Sequence, residues 1–443
     1  MTCTRSARLA VQPLEGRLAP ANVTVTFSPL THVLTVVGDN AANDLTIQGD
    51  ASDPTHFTLT STGTINGIAG PFSTPSGVRS MAMRLLAGND QVGFGNSPAV
   101  HLTGSLSING GDGANSVTAS ALMVDKGLTI TNGVGNDSTT LLDVSVGGSL
   151  TVRNGSGDSF TRLARISAPV SAIRGSVLVT NGAGQDHTEL TDVNVGGGVN
   201  VQNGLADAGG AAGLTVIFNN FVAGFRSQIR GGVSVSFLDG NVGSSGLSDV
   251  EVGGDVTFAF GSGSFSAFLD GFQVLQPVAV RGNLTLTGTG IGTVSLGTGL
   301  SGTGLVVGKA LRVTTGSAAD SVTLSKTDVG GATTLRLGDG ANMVRIDNSE
   351  FVGAFNVTTG AGTDAVFLDT AAGTTAATTF KRPVTILQGA GVDSLILAGS
   401  GDANQALVFL GSFVVHHGVE ADTLIQTASH LYFPFGTALQ YVV

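Results

Sequence analysis

Five short stretches set an aspartate just behind a glycine-rich turn: GVGND at Asp137, GSGD at Asp158, GAGQD at Asp186, GAGTD at Asp364 and GAGVD at Asp393. Of these the Asp158 copy is the weaker one, and further weaker copies end at Asp320 and Asp422. Carboxylates recurring at one place of a repeat could bind a hard cation. Calcium takes about 6–8 oxygen ligands, more than one such turn supplies, so adjacent turns would have to share the ion. Asp137 with Asp158, then Asp158 with Asp186, are the nearest pairs along the chain. The same residues have a second reading. Asn, Gly and Asp are what tight corners demand, the Asp side chain accepting backbone N–H groups. The metal candidates are thus Asp137, Asp158, Asp186, Asp364 and Asp393, with calcium as the cation and no other cofactor expected.

A second series has the form L-x-D-V-x-V-G-G and gives Asp143, Asp192 and Asp249, with Asp328 in a looser copy. Paired carboxylates roughly 5–9.5 Å apart are the machinery of glycoside hydrolysis. Asp143 and Asp192 lie two repeats apart, roughly 9–10 Å at strand spacing. Their neighbourhood offers few Arg, Lys or His partners, and the chain has no Trp to stack on a sugar ring. Their fixed place in the repeat argues for a corner residue, so no catalytic residue is assigned. His32, His56, His101, His187, His416, His417 and His430 form no metal-ligand spacing and read as structural. GLSGTGLVVGK (Gly299–Lys309) lacks the Gly-Lys-Ser/Thr ending and following helix of a phosphate loop.

These residues are positioned by a repeating unit: Gly, a small residue, then apolar–polar–apolar. It appears as KGLTI at Gly127, GGSLTV at Gly148, RGSVLV at Gly175, GGDVTF at Gly254 and RGNLTL at Gly282. Successive glycines lie mostly 21–29 residues apart, with one interval of 34 between Gly198 and Gly232. Three strand-sized segments and three corners fill each period. Period-2 alternation with Val, Leu and Thr, punctuated by Gly, Asn and Asp, favours strands over helices. A period in this range with strand patterning is a solenoid. The expected fold is all-β: a right-handed parallel β-helix of about 13 or more coils with β caps, the hand following the rule for parallel crossovers.

Composition agrees. The chain has 443 residues, 12% charged and 67 of them glycine. Globular proteins average about 25% charged residues and about 7% glycine, so much of this chain must be corners. The net charge of −11 and the absence of a basic stripe in the sequence argue against nucleic acid. No apolar run approaches the roughly 20 residues of a membrane-spanning helix. With two Tyr and no Trp, the aromatic girdles of an outer-membrane barrel are also missing. The single cysteine, Cys3, excludes an internal disulfide. The expected organisation is a leader-like segment over 1–20, an N-terminal β cap merging into the first coils over 21–98, repeats over 99–420 and a C-terminal cap over 421–443.

Two resemblances attach to these residues. GVGNDSTTL (Gly133–Leu141), GAGQDHTEL (Gly182–Leu190), GAGTDAVFL (Gly360–Leu368) and GAGVDSLIL (Gly389–Leu397) resemble the hemolysin-type calcium-binding nonapeptide, Gly-Gly-x-Gly-x-Asp-x-apolar-x. They keep its later glycines, aspartate and apolar position, but lack its first glycine and its nine-residue tandem spacing, so a β-roll is not implied. The segment Leu9–Val25, through Leu14, Glu15 and Arg17, resembles a leader on bacterial exported and surface proteins that precedes β-rich repeats. That resemblance implies export, although residues 1–20 lack the continuous apolar core of an ordinary secretory signal. The expected function is a non-catalytic, elongated structural or adhesion-type scaffold at the cell surface or outside it. It would be a monomer or one part of a larger surface assembly, with a surface or matrix partner. The alternatives are an extracellular calcium-binding repeat protein and a β-helical polysaccharide lyase or hydrolase.

Overall fold

The computed structural model describes residues 22–95, 97–167, 171–205, 213–218, 226–238, 243–271, 277–298, 304–370, 376–397, 406–418, 422–426, 431–433 and 439–442. The leader residues Leu14, Glu15 and Arg17, together with Cys3 and His430, lie outside them. Every regular element among the described residues is a strand.

From Ser80–Arg84 onward the described strands fall on three sheets in strict rotation. Leu128–Asn132 lies on the first sheet, Ser138–Leu142 on the second and Ser145–Val146 on the third; Leu150–Arg153 then returns to the first. Each strand pairs in parallel with the strand one coil later, so Leu106 faces Leu128, Leu128 faces Leu150, and Leu150 faces Val177. Among the described residues the third sheet has 14 strands, one per coil. The fold is a parallel β-helix. Its shortest coils take 22 residues, the separation of the paired corner residues Asn115 and Asp137. Coils of 27 or 29 residues, as between Asn154 and Asn181 or Asp364 and Asp393, place most of the extra chain between the second-sheet and third-sheet strands.

Alternation decides what goes inside. On Leu128–Asn132 the first, third and fifth residues are buried, and on Leu150–Arg153 the first and third. Leu128, Val152, Val201 and Leu284 are wholly buried. A buried Val or Leu contributes about 1.5–3 kcal/mol, and stacked coils share one core that a lone coil could not close. Towards the C-terminal end the third sheet lines this core with an aromatic stack. Phe351, Phe380, Phe409 and Phe433 follow one another at centroid spacings of 5.1, 5.2 and 5.3 Å.

At the N-terminal end the pattern turns antiparallel. Asn22–Ser28 pairs with Val33–Val37, and Asp44–Gly49 with Phe57–Ser61. Val33–Val37 and Asp44–Gly49 then join in parallel to Ser80–Arg84 and Gln91–Phe94 of the first complete coil. These hairpins occupy the end where a bare coil would present unpaired edges. At the other end Thr423–Gln426, Leu431–Tyr432 and Leu439–Val442 continue the coil register.

Candidate functional site

The turn aspartates lie at the corner between the first and second sheets. Register pairs Ser116 with Ser138, Phe160 with His187 and Ala365 with Ser394. The residues just before them form one inward column: Asn43, Asp90, Asn115, Asp137, Ser159 and Asp186, resuming at Asp320, Asn342, Asp364, Asp393 and Asp422. A hydrogen-bond ladder runs along it. The backbone N–H of Asn43 donates to Asp90 Oδ1 at 2.7 Å, that of Asp90 to Asn115 Oδ1 at 3.2 Å, and that of Asn115 to Asp137 Oδ1 at 3.0 Å. Further on, Asn342 donates to Asp364, Asp364 to Asp393 and Asp393 to Asp422, at 2.9, 2.8 and 2.8 Å.

Four of the five metal candidates, Asp137, Asp186, Asp364 and Asp393, are buried members of this column. Asp158 is exposed. In its coil the aspartate follows Gly157 directly, without the intervening residue seen before Asp137, so Ser159 takes the inward place. Asp158 Oδ1 accepts the Gln185 N–H at 2.8 Å, and its own N–H donates to Asn136 Oδ1 at 2.9 Å. The pairs Asp137–Asp158 and Asp158–Asp186 are therefore divided between an inner and an outer column, whereas Asp364, Asp393 and Asp422 are consecutive in the inner one. No group of three or more His, Cys, Asp or Glu that could hold a metal occurs among the described residues.

The column's electrostatics follow from burial. Desolvation disfavours the charged form and pushes the Asp137 carboxyl up to about 6, against the opposing Asn115 hydrogen bonds. Burial also raises Asp90 and Asp320. Beside Asp422, burial pushes the His417 imidazole below its ordinary value, with the Asp422 carboxylate 3.4 Å away opposing the shift. His416 points outward, as its adjacency on a strand requires.

A second polar column lies at the end of the first-sheet strands. Asn132 Nδ2 donates to Asn154 Oδ1 at 3.0 Å, Asn154 to Asn181 at 2.8 Å and Asn181 to Asn203 at 2.8 Å. One register step later Phe237 faces Asn203, and Phe237 stacks on Phe260 at 5.3 Å, so the amide ladder becomes an aromatic one. The signal was present in the sequence as the Asn before three of the Gly-x-Gly turns, at Asn132, Asn154 and Asn181. Taken as a turn former, its inward direction goes unnoticed.

The other aspartate series sits at the corner between the second and third sheets. Asp143, Asp192 and Asp249 have φ of 52°, 55° and 53°. This left-handed region is one that Asp tolerates better than most non-glycine residues. Asp143 accepts from the backbone N–H groups of Ile166 and Ser167, and Asp192 and Asp249 are fully buried. Asp143 and Asp192 do occupy equivalent places two coils apart, with Arg165 in the coil between. Asp328 does not share that place. Lys326 holds the left-handed position in its coil, and Asp328 lies on the strand Thr327–Val329 beside Glu350.

Two outward-facing groups were not visible in the sequence, because each is assembled from different coils. On the second sheet, Arg162 Nε lies 3.1 Å from Glu189 Oε1, Thr191 Oγ1 donates to the same oxygen, and His187 stacks on Phe160 at 5.1 Å. His187, whose Nε2 lies 3.8 Å from Glu189 Oε2, is the largest influence holding the Glu189 carboxyl below its usual range. At the corner between the third and first sheets, exposed Arg174 and Arg230 flank Gly196 at a groove of about 390 Å³ that Asn194 and Gln228 also line. Gly196 is required, since a Cβ there would stand 2.2 Å from the Arg174 carbonyl oxygen. Arg281, the next cation along, is engaged by Glu251. Comparison of the chain with protein-family models, curated proteins and solved structures returned no match.

Proposed function

We propose that this chain is a non-catalytic, elongated scaffold of an exported or cell-surface protein, making adhesion-type contacts along its sides. The observation that carries this reading is the stack of 14 coils among the described residues. At a strand spacing of about 4.8 Å it forms a rod on the order of 65 Å long. Each coil repeats the same outward positions, so a side of the rod offers similar chemistry at regular intervals along a polymer or matrix. The leader-like Leu14, Glu15 and Arg17 support a place outside the cytoplasm. The groove between Arg174 and Arg230 is the place for an acidic matrix polysaccharide. Its two guanidiniums are two coils apart, about 10 Å at strand spacing, and neither makes an ion pair with a described residue.

Two experiments test this. Fractionation of the native cells is expected to recover the chain at the surface or in the medium; recovery from the cytosol contradicts the export reading. The protein is also expected to bind immobilised polygalacturonate without degrading it, and Arg174→Ala with Arg230→Ala to abolish binding with an unchanged melting temperature. Cleavage of the polymer that disappears in Asp143→Asn with Asp192→Asn would replace the scaffold reading with an enzymatic one.

A further inference from the structure

Asn115 and Asn342 show what the buried place at the first corner demands. The side-chain oxygen of each accepts the N–H of its column neighbour, Asp90 and Asp320 respectively. The amide nitrogen of each donates to two carbonyls of its own glycine turn. Asn115 Nδ2 reaches Gly111 O at 2.9 Å and Gly113 O at 3.0 Å; Asn342 Nδ2 reaches Gly338 O at 2.8 Å and Gly340 O at 3.1 Å. Asn43 makes the equivalent bond to Ala41 O at 2.8 Å. The place needs one acceptor and one donor.

Asp137 supplies the acceptor. Its Oδ1 takes the Asn115 N–H, while its Oδ2 is buried and has no hydrogen-bond partner. By register and by the shared Oδ1 bond, Oδ2 stands where the amide nitrogen stands in Asn115, towards the carbonyls of Gly133 and Gly135. An ionised carboxylate has no hydrogen to donate, and carbonyl oxygens would repel it. Asp90 repeats the situation: Asn43 donates to its Oδ1, and its Oδ2 is buried and unpartnered. A shared metal is poorly served at Asp137, because its column neighbours are Asn115 and Ser159, which bring no second carboxylate. The carboxylates of the neighbouring outer turns are committed elsewhere, Asp112 to the Val134 N–H and Asp158 to the Gln185 N–H. Among the described residues the charged group acting on Asp90 is Asp39, whose negative charge also favours a neutral partner.

We propose that Asp137 and Asp90 are buried proton-binding sites. Each is folded as a neutral carboxylic acid whose Oδ2–H donates to the carbonyls of its own turn, reproducing the Asn side chain. The upward displacement of both groups by burial agrees with the geometry. The corner thus has two interchangeable forms, amide and protonated acid, and only the acid form responds to pH.

The test uses the full-length chain with Asp137→Asn and, separately, Asp90→Asn. Asn already occupies this place at positions 43, 115 and 342, so both variants are expected to fold. Each is expected to melt several degrees above the parent at pH 8 and to converge with it at pH 5, with calcium and chelator leaving all three curves unmoved. At pH 5 the infrared carboxylic-acid carbonyl band of the parent should lose intensity in each variant. The proposal is overturned if the variants melt below the parent at both pH values or if the band is unchanged. It is equally overturned if calcium raises the parent's midpoint at pH 8 and not the variants', which would make the corner a cation site.

Discussion

At the scale of single residues, the inward polar columns are exacting. Asn154 both accepts from Asn132 and donates to Asn181, and all three are buried. Asn154→Ala strands one partner on each side, and a buried unsatisfied group costs about 1–3 kcal/mol. Chemical denaturation should therefore show a loss of about 2–4 kcal/mol; a loss of a few tenths would mean that the ladder does not hold the coils. Gly135 is constrained from two directions. Its φ is 146°, and a Cβ would lie 2.2 Å from the Gly113 carbonyl oxygen. Gly135→Ala is expected to lower stability by more than the about 1–3 kcal/mol of backbone strain alone, read as a fall in the denaturation midpoint. The Gly-x-Gly-x-Asp spacing was legible in the sequence and led to the correct corner. The direction of each aspartate was not. Removing one residue between Gly157 and the aspartate moves Asp158 from an inward to an outward position, and only coil register reveals that shift.

At the scale of elements, what matters is how one strand meets its copy in the next coil. Phe380 lies between Phe351 and Phe409 at centroid distances of 5.1 and 5.2 Å and is wholly buried. Truncating a buried Phe to Ala costs about 3–5 kcal/mol, and here it would also interrupt the stack. Phe380→Ala is expected to lose that much, with hydrogen exchange accelerated first in Phe355–Thr358 and Leu407–Phe409; uniform acceleration along the chain would contradict the local account. The strands themselves were legible, because period-2 alternation survives in every coil. The aromatic stack was not, since Phe351, Phe380 and Phe409 are 29 residues apart and become neighbours only through pairing. The left-handed corner was half legible. The Asp-Val-x-Val-Gly-Gly pattern marked it at Asp143, Asp192 and Asp249, while Ala121 and Lys326 fill the same kind of corner without the motif.

At the scale of the whole molecule, the titrating groups favour mild acid. Burial raises Asp90, Asp137, Asp270, Asp320 and Asp328 above the ordinary carboxylate value. A raised carboxyl stabilises the fold fully below its unfolded value, and that contribution is lost as pH rises through the folded one. For Asp137 the window runs from near 4 to about 6. His417, lowered by burial, opposes this as pH falls below its ordinary range, but it is one group against five. Glu189 and Asp50 are lowered, so their contributions disappear in stronger acid. The melting temperature is expected to rise from pH 8 to pH 5 and to fall again below pH 4; a monotonic rise with pH would contradict this balance.

One parallel register runs the length of the rod, and disulfide formation between coils reads it out. Thr129 faces Thr151, Thr257 faces Thr285, and Thr334 faces Asn356 in adjacent coils. Parallel neighbours about 4.8 Å apart fall within the disulfide range of roughly 4.4–6.8 Å between Cα atoms. With Cys3→Ser as background, double cysteine variants at each of these three pairs are expected to crosslink under mild oxidation. A pair two coils apart, Thr129→Cys with Leu178→Cys, should remain reduced. Failure of the adjacent pairs, or crosslinking of the distant one in their place, would contradict the stacked-coil account.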